Sequence, residues 1–94
     1  MYKPLRYPGT WMTIWDERIL EHLLDEKGTS VGELTEKENI RVTNTHVSRR
    51  CKKLAEHGLL QSLGNGVYAM NGKGKAYLVG EYDAETENYL NGRP

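Results

Sequence analysis

At Gly58 the chain changes period, and that change limits its possible folds more than any other feature. Before it, Val47, Cys51, Leu54 and Ala55 recur at helical spacing over residues 44–57. After it, residues 60–63 and 67–70 alternate, with Gly64, Asn65 and Gly66 between them. That triplet supplies the positive φ values a tight hairpin needs. Neither a helical stripe nor a short hairpin buries its apolar side alone, so both must close on elements upstream.

Those elements are legible. Thr13 with Asp16 has the pattern of a capping box and predicts a helix over 14–27. Its buried stripe is Trp15, Ile19, Leu20, Leu23 and Leu24, and Gly28 is its stop. Ser30 with Glu33 is a second capping box, opening a short helix over 31–37 that buries Val31 and Leu34. Thr43 caps the helix over 44–57, which Gly58 ends. After the hairpin, Asn71 caps a helix over 72–82 with Ala76, Tyr77 and Leu78 inward. Gly72, Gly74 and Gly80 each weaken that helix by roughly 1 kcal/mol where interior. Asp83 is read as the cap of a further short helix holding Tyr89 and Leu90. The predicted fold is mainly α with a small β-hairpin, in the order helix, short helix, helix, hairpin, helix. That is the winged helix-turn-helix arrangement. An N-terminal arm covers 1–12, the winged-helix domain 13–82, and a C-terminal extension 83–94.

Charge is zoned. The chain carries 13 basic and 13 acidic residues, for a formal net charge of zero. Residues 41–75 hold 7 basic and 1 acidic, whereas 1–40 hold 5 and 8 and 76–94 hold 1 and 4. One basic face on a neutral molecule is the footprint of a phosphate-binding surface. Within the third predicted helix, Asn44, Thr45, Ser48 and Arg49 offer base-reading groups. Arg41, His46, Arg50, Lys52 and Lys53 are placed to hold the DNA backbone. Asn65 at the hairpin tip and Lys73 after it are further backbone candidates, although the tip bears no cation.

Other chemistry is thin. Cys51 lies among cations, yet it sits on the apolar stripe and reads as a buried small hydrophobe. His22, His46 and His57 form no paired ligand motif, so no metal is expected. Asp16, Glu17, Glu21, Asp25 and Glu26 are read as lying on the exposed sides of the first helix, with no opposed partner for acid–base work. No phosphate-cradling glycine loop or nucleophile motif is present. The expectation is no enzyme, no cofactor and no small-molecule ligand. No secretory signal or membrane-length apolar run is visible, and the single cysteine fits a reducing, cytoplasmic setting. Tyr77, Leu78, Tyr82, Tyr89 and Leu90 exceed what a small core needs at this edge and, with Trp11, are read as a homodimer interface ahead of the alternative that they finish the monomer's own core.

Residues 11–21 (WMTIWDERILE), 46–54 (HVSRRCKKL), 57–60 (HGLL) and 63–68 (LGNGVY) resemble haloarchaeal winged-helix proteins related to the phage phi-H repressor. The resemblance covers about residues 11–83. It implies a cytoplasmic, dimeric DNA-binding regulator similar to MarR-like winged helices. It also implies that Asn44, Thr45, Ser48, Arg49 and Lys52 read DNA. One departure is the balanced charge, since proteins of extreme halophiles are strongly acidic. In molar salt the Debye length falls to about 3 Å, and recognition then leans on base-edge hydrogen bonds. The alternative reading is a winged-helix protein-interaction module without DNA binding, suggested by the uncharged hairpin tip and the C-terminal tyrosines.

Overall fold

A computed structural model describes residues 5–90. In chain order the elements are α1 Ile14–Leu23, β1 Thr29–Ser30, α2 Val31–Thr35, α3 Asn44–Glu56, β2 Leu60–Gly64, β3 Val67–Met70, α4 Gly72–Leu78, β4 Tyr82–Asp83 and β5 Asn88–Tyr89. Ile19, Leu20 and Leu23 of α1, Leu34 of α2, and Val47, Cys51 and Leu54 of α3 are all fully buried. The three helices therefore close one core, with Leu59 and Tyr77 completing it. The wing is a sheet of order β1-β3-β2, antiparallel throughout. A bulge between Ser62 and Gly64 leaves Leu63 about half exposed.

The helix ends show where local chemistry prevails. Gly58 (φ 80) follows α3, with Leu59 N–H donating to the Leu54 carbonyl at 2.9 Å and Gly58 N–H to Ala55 at 3.0 Å. This pair of bonds is the Schellman closure. Gly80 (φ 81) does the same after α4, through Glu81 N–H to Ala76 at 2.8 Å and Gly80 N–H to Tyr77 at 3.1 Å. Gly80 therefore ends α4 and does not weaken its interior. Gly74 is buried, and a Cβ there would strike the Leu59 carbonyl and the Met70 sulfur. Its cost in helix propensity is offset by letting α4 lie close on the wing.

Four expectations change. First, α1 stops at Leu23, before Gly28, because buried Thr29 donates its hydroxyl to Glu26 at 2.8 Å and enters the sheet opposite Tyr68. Second, Asp83 caps no helix. Its carboxylate accepts from Glu85 and Thr86 N–H at 2.8 and 3.3 Å, and Glu87 (φ 58) turns the chain back into β5. Third, helix takes 41% and strand 19% of the described residues, so "mainly α" fits only roughly once β1 and the β4–β5 pair join the hairpin. Fourth, Asp16 is completely buried instead of lying on an exposed side.

The arm and the C-terminal edge hold each other. Tyr7 bridges to Asp83, and its carbonyl accepts from Ala84 N–H at 2.9 Å. The Arg6 guanidinium donates to Glu17 (2.9 Å), Glu21 (2.8 Å) and the Leu78 carbonyl (3.0 Å). The Tyr77 hydroxyl donates to Glu17 as well. Tyr77, Leu78 and Tyr82 are 0%, 2% and 1% exposed. They finish the protomer's own core and leave no side chain to offer a second copy. Tyr82 also packs edge-on against half-buried Tyr89 at 5.1 Å.

Candidate nucleic-acid interface

Three sides of α3 are committed, and the fourth is not. Val47, Cys51 and Leu54 face the core. Thr45, Ser48, Arg49 and Lys52 follow the i, i+3, i+4, i+7 spacing of one helix face. Thr45, Arg49 and Lys52 are exposed and Ser48 is half-buried. With Asn44 and Val31 they line a shallow open groove of about 460 Å³. Thr43 accepts from His46 N–H at 3.1 Å and fixes where α3 begins. The Thr35 hydroxyl lies 2.7 Å from the Asn44 side-chain oxygen and 2.8 Å from the Val31 carbonyl, and its one hydrogen serves either, tying α2 to the first residue of α3.

Charge is left open along this face. Among the described residues, Arg41, Arg49, Lys52 and Lys53 make no ion pair. Arg41 is exposed two residues before the Thr43 cap, and Lys53 is half-buried on the flank. Arg49, Lys52 and Lys53 border a second depression with Arg50 and Glu56. These cations are available to phosphate oxygens, which a guanidinium or ammonium meets with charge-assisted hydrogen bonds.

Arg50 departs from the expectation. Its side chain turns inward, donating to both oxygens of Asp16 (2.8 and 2.6 Å) and to the Trp11 carbonyl (2.9 Å). Hydrogen bonding to Asp16 raises its pKa further above the ordinary guanidinium value. The reason is positional, since Arg50 lies on the side of α3 that packs on α1. Arg50 thus fastens α3 to α1 through its Nε and Nη2 groups. Lys73 also falls outside the face. It lies beside Gly58, and its ammonium is 5.9 Å from the Tyr82 ring centre. It thus sits at the C-terminal end of α3, a helix about 20 Å long that begins at Asn44. Asn65 (φ 54) is exposed at the wing tip between two left-handed glycines, with neutral neighbours.

The other residues singled out have structural partners. The Trp11 ring stacks on His57 at 3.8 Å, and His57 Nδ1 lies 3.0 Å from Glu87. Trp11 is therefore an arm-to-α3 fastener within one protomer. His22 is bonded to Asn39. Cys51 is fully buried, and burial pushes its thiol up to about 12. A thiol held protonated in this way is a poor redox sensor. Among the described residues no cluster of metal-ligating side chains occurs, and no helix is long and apolar enough to cross a membrane.

Sequence reasoning missed the Arg50–Asp16 pair. No local signal marks it, since a capping box at Asp16 implies only a bond to the Thr13 N–H, and the packing of α1 on α3 is what brings Arg50 to it.

A three-helix core, a helix-turn-helix with an open cationic face and a three-stranded wing define a winged helix-turn-helix protein. A family model described as the winged helix-turn-helix phage repressor matches residues 6–89. The chain belongs to that family, which places it among DNA-binding regulators. It is also similar to a PhiH1 repressor-like protein from Haloarcula marismortui known from a crystal structure. That match has 53% sequence identity and a TM-score of 0.89, covering 92% of this chain and 98% of the other. No curated protein matched.

Proposed function

We propose that this chain is a sequence-specific double-stranded DNA-binding transcription regulator, a repressor acting by occupying its site, and that α3 enters the major groove. One observation carries the reading. Thr45, Ser48, Arg49 and Lys52 form a single outward row without internal partners, on a helix held rigidly along its other sides. Asn44, Thr45, Ser48 and Arg49 meet base edges, where Asn suits adenine and Arg suits guanine. Arg41, Lys52 and Lys53 hold phosphates, and the Asn65 tip touches the backbone through neutral groups. The setting is the cytoplasm, and the role requires no catalysis and no small-molecule ligand.

A repressor of this size gains reach by pairing. With Tyr77, Leu78 and Tyr82 used internally, the pairing surface we propose is the exposed part of the same edge. Leu5, Tyr7, Val79 and Leu90, 70%, 37%, 50% and 48% exposed, lie on the segments that meet there. Sedimentation should show a dimer at micromolar protein, and Leu90→Asp should shift it to monomer.

Selection of bound sites from a random duplex pool tests the main reading. A recovered motif supports it, and a palindrome supports the dimer. Arg49→Ala should relax preference at one base position. Lys53→Ala should weaken all sequences alike and flatten the salt slope by about one unit. If the two variants behave identically, the division of roles is wrong. If random duplex is not bound at low salt, the protein-interaction reading takes its place.

A further inference from the structure

The flank of α3 that faces α1 holds a second feature. Thr13, His46, Arg49 and Arg50 line a cleft of about 150 Å³ beside the groove already described. Three of these have unused donors. The Thr13 side chain is exposed, and in the α1 capping box it faces the Asp16 N–H only as an acceptor while Asp16 accepts from the Thr13 backbone N–H at 2.8 Å, so its hydroxyl hydrogen is uncommitted. His46 Nε2 is shielded from solvent and has no hydrogen-bond partner. Arg49 makes no ion pair among the described residues. A buried ring nitrogen without a partner costs about 1–3 kcal/mol, so it is retained at a loss unless something fills the cleft.

We infer that this cleft seats one backbone phosphate of the bound duplex, from the strand on the α1 side of the groove. The Thr13 hydroxyl and the His46 Nε2–H donate to its oxygens, and Arg49 closes the wall. Asp16, which is bonded to Arg50 of the cleft wall, adds no uncompensated charge there. Asp16 is buried beneath the cleft, and both its oxygens are engaged by Arg50. A helix in the major groove has a phosphate strand on each side. Lys52 lies toward the α2 side, and this cleft serves the other. The two seats together fix the tilt of α3, so base-reading groups arrive in register. The inference rests on the proposed DNA reading and adds Thr13 to the contact set.

The test is the affinity of a random-sequence duplex for wild type, Thr13→Val, Thr13→Ser and His46→Gln, with thermal melting as a fold control. Thr13→Val keeps the side-chain shape and loses the donor. It should weaken binding about tenfold without changing the salt slope, since no cation is removed. Thr13→Ser should restore wild-type affinity, which a purely structural role for the methyl group would not allow. His46→Gln should lose no more than Thr13→Val, because an amide N–H can replace the ring donor. Wild-type binding with an unaltered Thr13→Val affinity overturns the phosphate seat alone. Absence of wild-type binding overturns the DNA reading itself.

Discussion

Two charged regions of this molecule are built oppositely. Around the arm, α1 and α4, Arg6, Glu17, Glu21 and Tyr77 are joined by hydrogen bonds, and each charge meets its opposite within the cluster. Along α3, Arg49 and Lys52 stand exposed and form no ion pair among the described residues. The boundary between the two regimes runs between adjacent residues. Arg49 faces out, and Arg50 is locked to Asp16. The lesson is that a cationic run is not one functional unit. Each side chain's direction on the helix decides whether its charge holds the fold or is offered elsewhere.

The sharpest way to break this comparison is to exchange the two kinds of cation. Asp16→Ala strands the 18%-exposed Arg50 side chain without its buried partner. It should cost about 3–5 kcal/mol, read as a lowered denaturant midpoint. The double variant Arg49→Ala/Lys52→Ala should leave that midpoint unchanged. Its loss is in duplex affinity, about 10- to 100-fold at low salt, with a salt slope flatter by roughly one to two units. A large stability loss in the double variant would erase the distinction drawn here.

Smaller effects sharpen the same contrast. Tyr77→Phe removes a buried donor to Glu17 and should cost about 1–2 kcal/mol of stability while sparing DNA affinity. Burial raises Cys51 from the ordinary 9.0 to about 12, with Tyr77 raised in the same direction. The folded state favours the protonated forms, so their stabilisation is full below the unfolded values. It should decline as pH rises from about 9 towards 12, a fall that alkaline melting curves will show. Native Cys51 should accordingly resist alkylation at mildly alkaline pH until denaturant is added. The least effect is expected at the wing. Asn65→Gly suits the positive φ and removes only a neutral side chain, so duplex affinity should change by less than about twofold.

Much of this architecture was readable from local rules. Thr43, Ser30 and Gly58 mark ends that the structure keeps, because caps and left-handed glycines act within a turn of themselves. The outward face of α3 was readable as well, since spacing alone puts Thr45, Ser48, Arg49 and Lys52 together. The rest depends on distant partners. Arg50 and Asp16 are 34 residues apart, and only packing of α1 on α3 joins them. In the sequence Tyr77 and Tyr82 read as surplus apolar surface, because the Arg6–Glu17 cluster that covers Tyr77 comes from the far end of the chain. Asp83 offers the same hydrogen bonds to a helix start and to a turn. The left-handed Glu87 that decides between them carries no sequence signature.

The account stands most directly on which surface meets the duplex, and amide chemical-shift mapping during a titration with duplex DNA reads that surface. The expected result is perturbation concentrated on residues 44–53 and around Thr13, with residues 79–90 nearly silent. Shifts centred on residues 79–90, or none at all at low salt, would contradict it.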